Sequence, residues 1–434
     1  MTINVERIRE NGVVGAGGAG FPTYRKLQHN VDVVILNGAE CEPLMHKDKE
    51  LLRNYAREIV LCLDEIVAFV GASRAYIAIK AKYRDVIEAV KQHLTARLTI
   101  APLGDFYPAG DEIVLVHLVT GRIIPAGKIP LDSGCLVNNV ETIYNVAQGH
   151  PVTDSVITVA GAIPKPVTLQ VPVGTLIEDL LPLLRVDDYQ SKTVILGGAM
   201  MGTLVQRFDE PIRKTTGGLI ILPADHPLIK KYERTAKQHV LIGSSCCDQC
   251  SLCTDLCPRY LLGHPIQPHL AMRALQIPDR FHHLNYGTHF CCECNLCSLM
   301  SCPIDLDPKE VCVSYKRQYA LDESLASETR LSSPHTMVQE RRVSLSRLKH
   351  RLGLGLYQNE APLVSFPAEI KRVRIPLKQH IGETTKPVVS IDQQVLRAEK
   401  IADLEPHHLG VPIHASITGR VTRVEPDYIE IQRT

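Results

Sequence analysis

The chain has 434 residues, 45% of them hydrophobic, and a formal net charge of +1. That length exceeds one ordinary core and predicts several domains, and the near-neutral charge excludes nucleic acid or an anionic membrane as the main partner. No apolar run reaches the roughly 20 residues a spanning helix needs, and Met1–Gly12 has no secretory apolar core. A cytoplasmic setting is therefore expected. There the 14 cysteines should serve as thiols, metal ligands or catalytic groups rather than disulfides.

Residues 1–150 alternate strand and helix patterns. Val31–Asn37 is an apolar run typical of a buried strand. Glu58–Val70 has the apolar spacing of a helix, interrupted by Asp64 and Glu65. Ala75–Ala81 again has strand character, and Arg84–Leu94 helix character. This rhythm predicts βαβ units and a mostly parallel sheet. In residues 151–235, Ser155–Leu184 contains two strands around a Pro-rich turn and then a helix. Two more strands are expected in Lys192–Gly202 and Gly217–Pro223. This predicts a compact α+β unit of β-grasp character. Residues 236–325 hold the cysteine runs and are expected to be helical. Residues 326–365 are polar and suit a linker. The part from 366 to 434 is rich in Pro, Val and Ile, as in a small all-β module.

The first cysteine run is Cys247-x2-Cys250-x2-Cys253-x3-Cys257-Pro258; the second is Cys291-x2-Cys294-x2-Cys297-x4-Cys302-Pro303. Three cysteines at x2 spacing let one loop wrap three corners of a cubane, and the fourth reaches the neighbouring cluster in two-cluster ferredoxins. One [4Fe–4S] cluster would then take Cys247, Cys250, Cys253 and Cys302, and the other Cys291, Cys294, Cys297 and Cys257. The extra residue before Cys302 calls for a bulge. Zinc would use paired C-x2-C knuckles with a long gap, which fits three consecutive x2 steps poorly. Cys246 and Cys292 stand beside ligands as spectators, and Cys62 belongs to the core of its helix. His282, His283, His407 and His408 are expected on the surface or in loops.

Four polar segments lie in the first 150 residues. Gly15, Gly17, Gly18 and Gly20 precede a helix start at Pro22. Glycines let backbone approach a ligand, and a helix N-terminus favours phosphate. The spacing is not G-x-G-x-x-G, so a flexible turn remains an alternative at this point. "NGAECEP" (Asn37–Pro43) follows the buried strand, where α/β sheets bind ligands. "YPAGDE" (Tyr107–Glu112) and "NNVET" (Asn138–Thr142) supply further amides, acids and a hydroxyl. Each alone could equally be a capped turn or a solvated face.

Together these segments resemble, in order, the GRGGAGFPTG, NADEGEP, YICGEE and NNVET segments of the flavoprotein subunit of respiratory complex I. The resemblance implies FMN and hydride acceptance from NADH. By position, Gly15, Gly17, Gly18 and Lys26 match the loop that meets cofactor phosphate. Asn37 and Glu40 match residues around flavin and nicotinamide, and Glu42 the neighbouring acid. Tyr107, Gly110, Asp111 and Glu112 match the third segment, and Asn138, Asn139 and Thr142 the FMN side of the fourth. Ala16 and Ala39 depart from the family's Arg and Asp, the latter removing a ribityl or ribose contact. The following α+β unit resembles the β-grasp domain of that family. The cysteine region resembles the ferredoxin-like domain of the RnfC component of Rnf-type complexes.

The tail resembles a barrel-sandwich hybrid of the biotinyl type. Its hairpin, Asp403–Gly410, has no lysine to modify, so a docking or packing module is expected. The whole order is similar to the cobalamin reductases of propanediol-utilisation microcompartments. That implies cobalamin, or a cobalamin adenosyltransferase, as electron acceptor, with a shell protein as a further partner. No D-x-H-x-x-G cobalamin-binding run is present. Two other expectations share the pattern: electron transfer to a ferredoxin, flavodoxin or radical-enzyme activase, and a non-catalytic relay.

Overall fold

The computed structural model describes residues 2–186, 188–275, 282–321, 333–357, 360–366, 369–405 and 407–434, with backbone only for 282–284. The side chains of His282 and His283 thus lie outside the described residues.

The first sheet is four strands, all parallel, in the order Leu98–Leu103, Arg74–Lys80, Val33–Gly38, Cys135–Asn139. Alternation along a strand sends successive side chains to opposite faces. Val34 and Leu36 join one core with the Lys47–Phe69 and Val140–Gln148 helices. Val33 and Ile35 join another with the Glu112–Thr120 helix. Helices on both faces explain why Val33–Gly38 is buried at every position and reads as an unbroken apolar run. The next strand in the chain lies on one side of Val33–Gly38 and the last on the other. The strand order therefore reverses there, which opens a crevice beyond the carboxyl ends of Val33–Gly38 and Cys135–Asn139.

The long helix begins 11 residues before its expected start at Glu58, at Lys47, and is kinked at Tyr55. Its first turn, Lys47 to Glu50, is charged yet buried. Local polarity hid it, because the partners that make burial tolerable come from elsewhere in the chain. Lys47 pairs with Glu141, both almost fully buried, and donates to the Ala16 carbonyl at 2.7 Å. Removing one member of such a pair leaves an uncompensated buried charge.

The second unit is a mixed sheet in the order Leu363–Val364, Val167–Pro172, Asp154–Gly161, Gly218–Pro223, Lys192–Leu196, Thr203–Leu204. Asp154–Gly161 pairs antiparallel with Val167–Pro172 and parallel with Gly218–Pro223. The Ile177–Leu183 helix covers one face through Leu180 and Leu181 against Ile157, Leu169 and Ile221.

The stretch expected to be a linker is anchored wherever it is described; residues 322–332 lie outside the described residues. Val343–Ser344 pairs antiparallel with Phe106–Tyr107, Leu345 and Leu348 of the next helix are buried, and Leu363–Val364 extends the second sheet. These partners lie more than 190 residues away in the chain, which a local reading of polarity cannot see.

The tail forms two small sheets around Val373, Ile401, Val421 and Ile431. The lysine-free turn joins Lys400–Asp403 to Ile413–His414, which pair antiparallel. The module is docked on the second unit: Arg374 N donates to the Gly174 carbonyl at 2.8 Å and the Ser416 hydroxyl to the Val173 carbonyl at 2.6 Å. Among the described residues, no helix is long and apolar enough to cross a membrane.

Candidate cofactor sites

The glycine loop folds over the crevice of the first sheet. A bridge between Val14 and Pro22 closes its neck, and Gly15 N donates to the Phe21 carbonyl at 2.9 Å. Ala16 N donates to the Thr142 hydroxyl at 3.0 Å. Gly17 lies directly on Asn139: a Cβ there would stand 2.2 Å from the amide nitrogen, whereas a Cβ on Gly18 would meet nothing within 4 Å. Lys26 Nζ donates to the Val137 carbonyl at 2.9 Å and pairs with Glu112 at 3.3 Å. Asn37 donates to the Gly110 carbonyl at 2.9 Å, so it ties the YPAGDE turn to the strand end. Asn138 is buried, and its amide nitrogen has no hydrogen-bond partner.

The structure thus gathers Gly15, Gly17, Gly18, Lys26, Asn37, Gly110, Glu112, Asn138, Asn139 and Thr142 about the ends of two neighbouring strands. Buried donors are normally satisfied. An orphan amide, a lysine and open space at Gly18 fit a phosphorylated heterocycle that accepts hydrogen bonds.

The two glutamates hold structure around the crevice. Glu40 sits at φ +36° and accepts from Asp48 N (2.8 Å) and Lys49 N (3.3 Å), capping the long helix. Burial raises its carboxyl above the usual range. Glu42 reaches the second unit, where it accepts from Met200 N (2.8 Å) and Met201 N (3.1 Å) across Gly198, whose missing Cβ makes the room. Burial pushes its carboxyl up to about 7, against the two amide bonds.

A raised folded pKa contributes stability that is present below pH 4.5 and lost as pH rises through 7. Wild-type stability should therefore fall between about pH 5 and 8 relative to Glu42→Gln, a difference measurable by thermal unfolding at stepped pH. Parallel pH curves for the two proteins would count against a buried, strained carboxylate.

Tyr107 and Asp111 are engaged elsewhere. The Tyr107 hydroxyl, fully buried, donates to the Cys294 carbonyl at 2.7 Å. Asp111 caps its helix by accepting from Ile113 N and Val114 N, and its other oxygen pairs with Arg259 at 2.7 Å. Both residues face the cysteine loops.

Those loops share one backbone design. Gln249 and Ser251 lie at φ +59° and +62°, and Glu293 and Asn295 at +58° and +64°. Left-handed residues between successive cysteines curl each loop inward. Cys247, Cys250, Cys253 and Cys302 line one cavity with His269 and Met272. Cys257 lies electrostatically against Cys291, and Cys294 and Cys297 against Cys257. The extra residue before Cys302 is absorbed as a single π-turn, Cys297–Ser301.

Burial pushes the Cys253 thiol up to about 12, and burial also raises Cys257 and Cys297. Apo, these groups hold their protons; bound iron would take over as the compensating charge. Two quartets of soft ligands fit iron–sulfur clusters. Among the described residues, no three His, Cys, Asp or Glu side chains converge on a single-ion position.

Sequence reasoning passed over Cys312. It is fully buried on the Pro308–Gln318 helix, with its free thiol hydrogen-bonded to that of Cys291. It lies outside both runs, so spacing carried no signal of it. The free Cys292 thiol is hydrogen-bonded to that of Cys294 and lies against Arg259, and it is lowered to about 7, chiefly by the Cys294 hydrogen bond.

Family comparisons agree with this division. Residues 8–148 match the Nuo51 FMN-binding domain of the complex I 51-kDa family, 246–307 a 4Fe-4S dicluster domain, and 357–433 the RnfC barrel sandwich hybrid domain. These define a multidomain flavin and iron–sulfur electron-transfer protein.

The chain is 38% identical to "Cobalamin reductase PduS" of Salmonella typhimurium over 99% of its own length and 96% of the relative, and 37% identical to that of Citrobacter freundii over the same shares. It belongs to the PduS cobalamin reductase family. It is also 33% identical to the RnfC-type component of the Na(+)-translocating ferredoxin:NAD(+) oxidoreductase complex of Acetobacterium woodii, over 58% of this chain and 56% of that one.

Proposed function

We propose that this chain is an NADH-dependent reductase that passes electrons through FMN and two [4Fe–4S] clusters to cobalamin, taking cob(III)alamin or cob(II)alamin toward cob(I)alamin. The observation that carries it is the junction at Tyr107 and Asp111, where the segment bordering the flavin crevice touches the second cysteine quartet directly. Kinship with cobalamin reductases over nearly the whole chain supports the acceptor.

FMN supplies the step a cluster cannot, accepting a hydride and releasing electrons singly. The chain's residues position it. Lys26 and the Gly15–Gly18 loop would hold the phosphate, and Asn138, Asn139 and Thr142 would address the polar edge. Glu40 and Glu42 fix the helix and the second unit that border the crevice. No side-chain nucleophile or general base is needed.

The Cys257, Cys291, Cys294, Cys297 quartet, beside Tyr107, would hold the one-electron carrier nearest the flavin crevice. The Cys247, Cys250, Cys253, Cys302 quartet, which lines a cavity of its own, would hold the second carrier. Cys250 is exposed, as is Cys246 next to Cys247, which supports an exit at that surface. The second unit, with its hairpin, helix and returning parallel strand, is of β-grasp type, and the tail without a modifiable lysine packs rather than swings. A cobalamin-holding adenosyltransferase as recipient and a microcompartment setting complete the reading.

Anaerobic protein loaded with iron, sulfide and FMN should bleach its flavin on adding NADH and then reduce hydroxocobalamin, followed by visible spectra. A flavin blind to NADH would remove the input. A flavin bleached by NADH with cobalamin unchanged would remove the acceptor.

A further inference from the structure

The two cysteine runs are near repeats, and the residue after each Cys-Pro pair differs in kind: Arg259 follows Pro258, whereas Ile304 follows Pro303. Ile304 is 45% exposed; Arg259 is 9% exposed. A guanidinium always carries its charge, and a buried one is normally paired through most of its donors. Arg259 is not. One nitrogen, Nη2, is spent on Asp111 at 2.7 Å, while Nε and Nη1 make no well-aligned hydrogen bond, and the sulfur the fork touches is that of Cys292, beside the ligand Cys291. The group lies against Cys292 and Cys294. Asp111 is held in turn by capping the Glu112–Thr120 helix, so the fork is aimed by the flavin-binding unit and not by the cysteine loop alone.

We infer that Arg259 is a tuning residue for the cluster held by Cys257, Cys291, Cys294 and Cys297, with its free donors directed at the sulfurs of that cluster. This rests on the two-cluster reading above. Reduction adds one negative charge to a cluster. A buried cation with directed N–H groups stabilises that charge and raises the potential, so the cluster next to the flavin can accept its electron. At the equivalent position of the first quartet stands the uncharged Ile304, and the Arg351 guanidinium near that quartet is engaged by the Cys302 carbonyl at 3.1 Å. Asp111 is the positioning residue, and the Asp111–Arg259 pair couples the fit of the flavin unit to the electronics of the cluster.

The test is an anaerobic redox titration of the iron-loaded full chain, followed by electron paramagnetic resonance, with each signal assigned from Cys294→Ser and Cys250→Ser. Arg259→Gln should lower the potential of the second-quartet cluster by about 59 mV or more, a tenfold bias in a one-electron equilibrium. The other cluster should not move, and iron content should be unchanged. Arg259→Lys, which keeps charge without the planar fork, should give a smaller shift in the same direction.

Full iron with both potentials unchanged in Arg259→Gln overturns the inference. If the Gln variant loses iron from that site, the Lys variant decides: a partial downward shift supports tuning, while an unchanged potential or equal iron loss assigns Arg259 to folding and overturns it. A wild-type protein that fails to hold two clusters sinks the underlying reading instead, and the iron count reveals this before any variant is compared.

Discussion

Cys302→Ser will empty the iron–sulfur site built by the first cysteine run, although Cys302 belongs to the second. The geometry is crossed: Cys302 lines the cavity of Cys247, Cys250 and Cys253, while Cys257 leaves the first run to sit with Cys291 and Cys294. Serine is a poor substitute for a thiolate toward iron, so the iron and sulfide content of the purified protein should fall by about half in Cys302→Ser and likewise in Cys257→Ser.

The two halves lost differ in consequence. In Cys302→Ser, NADH should still bleach the flavin and reduce the remaining cluster, but cobalamin reduction should stop, because the exposed end of the route is missing. In Cys257→Ser, NADH should bleach the flavin and reduce neither the emptied site nor, at any useful rate, the distant cluster; dithionite should still reduce the latter. Iron analysis, electron paramagnetic resonance and flavin absorbance on one sample separate these outcomes. Loss of the second-run signal in Cys302→Ser would show that each run serves itself and would break the proposed order of transfer.

What was legible in the chain followed the range of the physics involved. The strand expected at Val31–Asn37 and found at Val33–Gly38 announced itself because a strand covered on both faces must be largely apolar. The cysteine runs did so because a cubane imposes its spacing within one loop. The π-turn before Cys302 was legible as a need for one extra residue, though not as a form.

The hidden features all depend on distant partners. The Lys47–Glu50 turn lies outside the helix expected from Glu58, because Glu141, 94 residues from Lys47, is what makes its burial tolerable. Tyr107 and Asp111 stood in a flavin-family segment, yet they reach Cys294 and Arg259, 187 and 148 residues further on. Glu42 likewise spends its carboxylate on amides 158 and 159 residues away. Spacing speaks for groups that act within a loop, whereas contacts between units are written in no local pattern.

Gly17→Ala will strip the protein of flavin while both iron–sulfur sites stay filled. A Cβ at Gly17 would lie 2.2 Å from Asn139 Nδ2 and 2.3 Å from its Cγ, distances that no methyl group tolerates. The strand ending at Asn139 is pinned in register to Asn37 and leads at once into the Val140–Gln148 helix, so relief must come from rotating the Asn139 amide or lifting the glycine loop. Either motion disturbs the polar edge of the crevice, where Asn138 already has an unpartnered amide.

Overpacking of this kind costs about 1–3 kcal/mol, which translates to flavin binding weaker by roughly 5- to 150-fold. Gly18→Ala is the companion variant. Its added methyl meets nothing in the protein, so unfolding behaviour should match wild type, and any loss of flavin must come from the space the ligand itself occupies. Flavin released by acid from each variant, its affinity by fluorescence titration, and cluster reduction by NADH against dithionite give the reading. With flavin gone, NADH should leave the clusters oxidised and dithionite should still reduce them. A Gly17→Ala protein that keeps flavin at wild-type affinity would place the cofactor away from the Asn139 loop, and the electron route would have to begin elsewhere.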